Sequence, residues 1–547
     1  MGSFNPYLMQ QLALFDYLVF LFYFIVVSGY GYWIYQKKKS AEASTKDFFL
    51  AEGSLTWWAI GASLIASNIS AEQFIGMSGN GFSMGLAIST YEWMAAATLI
   101  VVAVFFMPIY LKNQIFTMPQ FLSQRYNKGV SLIMAIFWLG LYILVNLTSI
   151  LYLGALAVSG ISGIDFWICM WGLALFAIII TIGGMKVIGF TDVIQVFFLI
   201  IGGLATTYLA INLVADQNGV SGLVEGFKVM TTQHDDHFHM IFKKDQPFYS
   251  QLPGLTVLIG GMWIVNLNYW GCNQYITQRA LGADLKTARN GILFAAFLKL
   301  LMPIIVVLPG IAAYTLHSKG MFQQEMLGED GLLSADKAYP VLLSLLPVGL
   351  KGLSFAALTA AVVASLAGKA NSISTIFTLD IFKEYIGPEK TEAELVKIGR
   401  WVIIIAMVLA IVTAPYMGID KKGGFQFIQE MTGLVSPGVF AAFIMGFFWK
   451  RTNSAGALFA IVGGFLLALA MHNNWLPLLD WPSVPFLDRM GIVFVICVAV
   501  MILLGYFLPD ERKGLVIDVT MFNVHRTFGV GATVVLLIIA FLYTYFW

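Results

Sequence analysis

Long apolar stretches with very few charged residues recur from one end of this chain to the other. Each is close to the ~20 residues that a helix needs to cross a bilayer, and none shows the alternation of period two that barrel strands require. Fourteen stretches meet this description: 13–35, 57–80, 84–110, 130–159, 165–182, 190–215, 252–277, 291–316, 352–380, 401–417, 425–448, 455–472, 490–508 and 527–546. The pattern predicts an all-α integral membrane protein with about 14 transmembrane helices.

The amino-acid composition supports this prediction and limits the kinds of partner that we expect. Hydrophobic residues make up 59% of the 547 residues and charged residues 11%, about half of the charged share of a soluble domain. A net charge of +1 gives no electrostatic reason to expect nucleic acid. We therefore expect one transmembrane domain over 1–547, a lipid bilayer and a small solute as partners, and a monomer or weak homo-oligomer. We expect no removable signal peptide, because no basic region precedes the first apolar stretch.

Lys and Arg are concentrated in every second connection between the stretches. Short cytoplasmic connections carry an excess of these residues, so the odd-numbered connections are predicted to be cytoplasmic. With an even number of helices, both termini then face outside. Two lysines fit neither side, because Lys299 and Lys369 fall inside the eighth and ninth stretches.

Polar side chains interrupt the second stretch at membrane depth. Asn68, Ser70, Glu72 and Gln73 follow one another closely within 62–79. A regular helix facing lipid would not tolerate them, whereas a discontinuous helix lining a cavity can, because its unwound carbonyls and half-helix ends serve an ion or a substrate. The second stretch is therefore our first candidate for a binding site.

The seventh stretch repeats this arrangement. Two glycines at 260–261 weaken the helix, and several Asn and Gln residues then alternate with Trp and Tyr. Sugar hydroxyls need donors and acceptors from several sides, while the apolar face of the ring packs on an aromatic side chain. This mixture favours a sugar or a polyol as the solute.

Ionisable residues inside apolar helices usually line a pathway or pair with each other. Glu92 and Lys299 could form a structural salt bridge, but we favour hydrogen bonding to the substrate for both. Lys369 lies one turn after Ser365 and is either part of an ion path or a lysine that reaches out to the cytoplasmic interface. Asp192 either caps the sixth helix or lies on the ion exit path.

No nucleotide-binding loop, serine-hydrolase elbow or zinc-protease motif occurs in the sequence. We therefore expect no enzyme activity and no organic cofactor. Uphill movement of a solute would then draw on an ion gradient. A membrane-embedded sensor or a channel, which binds solute without coupled transport, is the alternative from another class.

Several motifs resemble the sodium/solute symporter family. They are Asn68-Ile-Ser-Ala-Glu-Gln-Phe-Ile-Gly-Met77, Tyr91-Glu-Trp93, Thr191-Asp-Val-Ile-Gln195 and Gly446-Phe-Phe-Trp-Lys-Arg451. The resemblance implies a LeuT-type core of two inverted five-helix repeats at 57–215 and 252–448, with an extra helix at 13–35 and C-terminal helices at 455–546. It also implies a multi-pass protein of the bacterial inner membrane that works by alternating access.

The resemblance also implies roles for individual residues. The sugar-binding set comprises Gln73, Glu92, Asn266, Lys299 and Gln429, with Asn68 in support and Tyr269 as the inner stacking gate. The outer gate comprises Met77, Tyr91 and Phe425. The sodium site comprises carbonyls of Ala66, Ile69 and Ala361 and the hydroxyl of Ser365. The expected function is import of a galactose- or glucose-like hexose with Na⁺ as the coupling ion.

Three positions depart from the family pattern. Ala364 replaces a serine of the sodium site, and Lys369 replaces an apolar residue one turn further along. Ala95 replaces a serine of the sugar pocket, so the hydroxyl pattern that is recognised can differ from that of galactose. Loss of a ligand and gain of an ammonium both weaken a sodium site, so the alternative function is a proton-coupled or uncoupled carrier of a sugar or an inositol-like polyol.

Overall fold

The structure is a computed structural model that describes residues 12–37, 45–51, 55–328, 331–416, 424–476, 480–508 and 515–547. Within these ranges the regular secondary structure is helical, and β-pairing is limited to one isolated bridge between Leu327 and Leu333. The predicted all-α class is therefore confirmed.

The first half of the chain runs from an N-terminal helix to a long helix that ends at Gln217. Its α-helices are α1 Leu14–Lys37, α2 Thr45–Leu50, α3 Trp57–Asn68, α4 Ser78–Met84, α5 Thr90–Val101, α6 Met107–Lys112, α7 Met118–Arg125, α8 Lys128–Gly140, α9 Thr148–Ser162, α10 Phe166–Ile182 and α11 Met185–Gln217. Wider π-helical turns at Glu72–Met77, Val102–Phe106 and Leu141–Leu147 and a 3₁₀ turn at Gly85–Ser89 join several of them.

The rest of the chain contains both short and long helices and ends in the helix α25. Its α-helices are α12 Leu223–Gln233, α13 Leu255–Ile259, α14 Gly261–Gly271, α15 Gln274–Leu281, α16 Leu285–Val306, α17 Leu308–Ser318, α18 Ala338–Ser344, α19 Leu350–Thr375, α20 Glu392–Thr413, α21 Gly424–Phe448, α22 Ser454–Leu458, α23 Gly464–His472, α24 Phe486–Phe507 and α25 Arg526–Tyr545. The π-helical segments Ile376–Ile386 and Phe459–Gly463 extend α19 and join α22 to α23.

Each of the fourteen apolar stretches is mostly helical where the structure describes it. Eleven helices in the described ranges are long and apolar enough to cross a membrane, and Phe166–Ile182 is apolar but shorter. The second and seventh stretches are split into pieces, so each lacks one continuous helix of spanning length. The chain is a multi-pass membrane protein; the count of fourteen crossings stays a prediction.

The second stretch is interrupted where its polar residues cluster. The helix α3 ends at Asn68, Ile69 adopts an extended backbone, and the chain becomes helical again from Glu72. The Gln73 side-chain oxygen accepts hydrogen bonds from the backbone N–H and the hydroxyl of Ser70, at 2.9 and 3.2 Å. Side chains thus satisfy part of the backbone that the break frees, which makes an interruption possible inside a membrane.

The seventh stretch is interrupted twice. Gly260 has a non-helical backbone between α13 and α14, and a second break at 272–273 separates α14 from α15. The Asn273 side chain accepts a hydrogen bond from the Tyr275 N–H at 3.1 Å and so caps α15. Both interrupted stretches therefore place free backbone groups and amide side chains at the same depth in the bundle.

The interrupted helices lie inside a layer of longer ones. The helix α3 packs against α16, α11 and α19, and α14 packs against α5 and α21. The helix α1 packs on the outside of α19 and α11. There the buried Asp16 carboxylate accepts hydrogen bonds from the N–H groups of Gly349 and Gly352, at 2.7 and 2.9 Å. These bonds cap the N-terminus of α19, where the helix dipole favours a negative charge.

Candidate functional site

A polar cavity of about 100 Å³ lies between the two interrupted stretches. Its walls include all seven residues predicted to contact sugar: Asn68, Gln73, Glu92, Asn266, Tyr269, Lys299 and Gln429. They come from α3 and the π-turn after it, α5, α14, α16 and α21, so five parts of the chain converge. The cavity is smaller than the ~300 Å³ or more of sites that hold small organic ligands. In this structure the cavity is therefore too small for a ligand of that size.

Lys299 and Glu92 form an ion pair on one wall of this cavity. The exposed fractions of the two side chains are 1% and 3%, and the Lys299 ammonium also donates to the Asn68 side-chain oxygen. The Trp270 ring lies 5.2 Å from the ammonium. The salt bridge, which we favoured less from the sequence, is what the structure shows. Both charges still line the cavity, so the pair can also serve hydroxyl groups of a solute.

Amide side chains supply the other polar groups of the cavity. Asn68 donates to the Tyr269 hydroxyl at 3.2 Å and thereby joins the predicted inner gate to the ion pair. Asn268, which the prediction left out of the sugar-binding set, donates to the Ser436 hydroxyl at 3.0 Å and also lines the cavity. Its position among the amides of the seventh stretch was a signal that could have placed it there.

The three predicted outer-gate residues are all buried. The rings of Tyr91 and Phe425 are 5.2 Å apart and nearly perpendicular, at 87°, and Met77 is fully buried. Gly76 lets Phe425 approach closely, because a Cβ at this glycine would lie 2.6 Å from the Phe425 Cβ. Tyr91 and Phe425 thus form an aromatic part of the cavity lining, which does not include Met77.

The Ser365 hydroxyl of α19 faces the break at the end of α3. Its oxygen lies 2.9 Å from the Ser67 carbonyl oxygen, 3.3 Å from that of Ile69 and 3.4 Å from that of Ala66. A hydroxyl has one proton to donate, so three converging carbonyls leave acceptor capacity that a small cation can use. Ala361 lies one turn earlier on α19 and is buried. These oxygens are hard ligands that suit a cation such as Na⁺.

Two features beside this cradle of oxygens affect how tightly it can bind a cation. Ala364 precedes Ser365 and has no side-chain oxygen. The Tyr275 hydroxyl donates to the Ser67 carbonyl and so competes with an ion for that oxygen. The residues present fit a small cation, with one hydroxyl fewer than the family pattern supplies.

Lys369 is buried one turn below Ser365. Its ammonium donates to the Asn146 side-chain oxygen at 2.7 Å. It also lies 3.8 Å from the ring centre of Tyr275, 5.0 Å from that of Tyr142 and 5.9 Å from that of Tyr269. With 4% of its surface exposed, it does not reach the membrane interface, so the snorkelling interpretation is wrong. Asn146 was missed from the sequence, although it is an isolated amide in the fourth apolar stretch.

Asp192 does not cap a helix. The helix α11 begins at Met185 with Gly184 as its cap, so Asp192 lies in the second turn and the capping interpretation is wrong. Its carboxylate accepts a hydrogen bond from the Ser63 hydroxyl at 2.5 Å. That hydroxyl accepts from the Arg279 guanidinium at 2.9 Å. This buried polar cluster lies one turn of α3 away from Ser67, and its members are not among the residues that line the polar cavity.

Comparison with known proteins gives concordant results. The family model "Sodium:solute symporter family" matches residues 48–464. A sodium/glucose cotransporter of Vibrio parahaemolyticus is 47% identical over 98% of this chain and 99% of its own length. The human sodium/myo-inositol cotransporter 2 is 34% identical over 83% of this chain and 69% of its own length.

Solved structures support the same fold. A Na⁺-coupled sialic acid symporter in a substrate-bound outward-open state superposes with a TM-score of 0.78 over 92% of this chain and all of that one, at 22% identity. Mhp1, a transporter of the nucleobase-cation-symport-1 family, gives a TM-score of 0.52 over 86% of this chain and 98% of its own, at 14% identity. Together with the family match over most of its length, these likenesses show that the chain belongs to the sodium:solute symporter family of membrane transporters.

Proposed function

We propose that this protein imports a hexose together with Na⁺ by alternating access. The observation that carries the proposal is the turn at 66–69. On one side, the carbonyls of Ala66, Ser67 and Ile69 surround the Ser365 hydroxyl. On the other side, the Asn68 side chain contacts Lys299 and Tyr269 in the polar cavity. One short segment therefore serves both an ion and a solute, which is what coupling requires.

Each group in the cavity has a role in this proposal. Lys299 donates to sugar hydroxyls, Glu92 accepts from them, and the amides of Gln73, Asn266 and Gln429 supply both kinds of bond. The sugar separates or bridges the ion pair, so its hydroxyls replace the contacts that the two charges make with each other.

The gates control access to the cavity from either side. Met77, Tyr91 and Phe425 form the outer gate and exclude water from the sugar, while Tyr269 stacks beneath it as the inner gate. Opening of the outer gate widens the small cavity of this structure. We place Asp192 and its Ser63 partner on the route by which the ion leaves, because they follow the oxygen cradle along α3.

The wider architecture of the proposal follows the family. Residues 57–215 and 252–448 form two inverted repeats, and each contains one interrupted helix. The helices at 13–35 and 455–546 lie outside these repeats. Both termini face outward from a bacterial inner membrane, because the basic connections then lie inside.

A polyol substrate with proton coupling, or with none, is the second candidate. Ala95 lines the cavity without a hydroxyl, and one relative is by name a myo-inositol cotransporter. Ala364 and Lys369 both reduce the attraction of the oxygen cradle for Na⁺. Amides and charges recognise hydroxyl groups and not ring identity, so inositol competes directly with hexoses in this proposal.

Uptake by purified protein in proteoliposomes tests both candidates. Radiolabelled D-galactose and D-glucose are offered with an inward Na⁺ gradient, or with choline in its place, at equal pH on both sides, and myo-inositol is added as competitor. We expect accumulation above equilibrium with Na⁺ only. Equal accumulation driven by a pH gradient without Na⁺ would favour the second candidate. Absence of counterflow for every solute would instead indicate a sensor or a channel.

A further inference from the structure

Lys369 places a buried amine side chain next to the proposed ion cradle. It lies four residues after Ser365 on α19, so the two side chains leave the same face of the helix one turn apart. The Tyr275 ring connects them, since the Lys369 ammonium lies 3.8 Å from its centre and its hydroxyl donates to the Ser67 carbonyl. The ammonium and the cradle are thus separated by little more than one aromatic ring.

The surroundings of Lys369 are those of a bound cation. Three tyrosine rings, those of Tyr142, Tyr269 and Tyr275, face the ammonium at 5.0, 5.9 and 3.8 Å. Aromatic faces and an amide oxygen hold a cation without neutralising it, because the ring quadrupole attracts charge but carries none. The hydrogen-bond partner is the Asn146 oxygen at 2.7 Å, which is also uncharged. The contacts named here are therefore uncharged, and the charged groups that act on the ammonium are the Glu72 carboxylate and the Arg279 guanidinium.

Lys369 also joins elements that have to move apart. It extends from α19 to the turn that holds Asn146 and to the second break of the seventh stretch, where Asn273 accepts from the Tyr142 hydroxyl. One member of its aromatic cage is Tyr269, the proposed inner gate. Lys369 thus belongs to the helix that carries Ser365 and contacts Tyr269, the proposed inner gate.

We propose that the Lys369 ammonium is a resident cation that competes electrostatically with the transported ion and sets how weakly the cradle binds it. The inference rests on the proposed sodium coupling. Two unit charges ~8 Å apart at an effective dielectric constant of ~20 change a binding constant ~30-fold. The Glu72 carboxylate lines the same cavity and attracts both cations, but it is present in wild type and variant alike and leaves this difference unchanged. Removal of the Lys369 charge therefore tightens Na⁺ binding by about tenfold or more.

The test measures ²²Na⁺ binding to the purified full-length protein in detergent and the Na⁺ dependence of labelled sugar uptake in proteoliposomes. Lys369→Met removes the charge and keeps an unbranched side chain, whereas Lys369→Arg keeps the charge. Lys397→Met makes the same replacement at an exposed position on α20. We expect about tenfold tighter Na⁺ binding for Lys369→Met and wild-type binding, within twofold, for the other two variants.

Defined results would overturn the inference. Equal Na⁺ affinity of Lys369→Met and wild type would refute it, and so would equal tightening by Lys369→Arg, which would point to side-chain shape and not to charge. Sugar binding at saturating Na⁺ shows that each variant is folded; if Lys369→Met fails this check, Lys369→Gln takes its place under the same criteria. Failure of the function proposal looks different, because wild-type uptake would then not depend on Na⁺ at all.

Discussion

Removal of one partner of the Lys299–Glu92 pair is expected to destabilise the protein, and removal of both charges is expected to restore stability without restoring transport. Both side chains are almost fully buried and in direct contact. Loss of one partner leaves a buried, unpaired charge, which typically lowers the free energy of unfolding by ~3–5 kcal/mol, whereas replacement of both partners by neutral side chains is often close to neutral. Glu92→Gln and Lys299→Met should therefore each lose several kcal/mol.

The double variant Glu92→Gln/Lys299→Met separates structure from function. We expect its free energy of unfolding to return to within ~1 kcal/mol of wild type, which gives a coupling energy of at least ~2 kcal/mol in a double-mutant cycle. Sugar uptake should remain abolished, because the groups that face the hydroxyls are gone. Unfolding is followed by titration with denaturing detergent, and uptake is measured in proteoliposomes.

The exposed pair of Lys112 and Asp518 provides the matched control. Its two charges are 3.7 Å apart and about half exposed, and such pairs contribute ~0–1 kcal/mol. The same cycle on this pair should give a coupling near zero and leave uptake unchanged. The reasoning fails if the buried pair shows no more coupling than the exposed one. It also fails if the double variant transports sugar at the wild-type rate, because neither charge would then bind the substrate.

Three further variants address the ion cradle, the inner gate and the first helix. Ser365→Ala removes one ligand oxygen, so the Na⁺ concentration for half-maximal uptake should rise at least several-fold while sugar binding at saturating Na⁺ is retained; unchanged Na⁺ dependence would remove Ser365 from the site. Tyr269→Phe deletes the hydroxyl that accepts a hydrogen bond from Asn68 at 3.2 Å, and such a bond contributes ~1 kcal/mol. Sugar affinity, measured by equilibrium binding, should therefore fall about fivefold. An unchanged affinity would show that the Tyr269 hydroxyl has no part in sugar binding. Asp16→Ala breaks the two hydrogen bonds that cap α19 and should lower the free energy of unfolding by ~2 kcal/mol in the same detergent titration. Asp16→Asn keeps an acceptor oxygen and should lower it by less. Equal losses of stability would indicate that the charge of Asp16, and not its hydrogen bonds, stabilises α19.

The sequence predicted an interruption of the second stretch, without its exact position, because the cause is local. Asn68, Ser70 and Gln73 compete with the backbone for hydrogen bonds, and such competition can be recognised without knowledge of the fold. The same holds for Gly260, since glycine weakens a helix wherever it lies. The helical class followed from the length of the apolar stretches alone.

Contacts between distant segments were harder to predict. The ion pair of Lys299 and Glu92 spans 207 positions, and a charge inside a helix does not reveal whether it faces a substrate or a partner. The environment of Lys369 depends on three tyrosines from two other stretches, so the sequence could not distinguish a buried cation from one that reaches the interface. Capping was one of two alternatives for Asp192, and it arose because the start of α11 lies more than a turn earlier than the apolar pattern suggests.

The turn at 66–69 also has a thermodynamic consequence. In the proposed function this segment presents carbonyls to the ion and a side chain to the solute. Ordering of the segment by either ligand would then lower the entropy loss that remains for the other. Linkage then demands reciprocity: whatever factor Na⁺ contributes to sugar affinity, the sugar returns to Na⁺ affinity. A carrier with such a turn would bind either ligand alone only weakly. This low affinity would limit leakage of the ion gradient when no sugar is present.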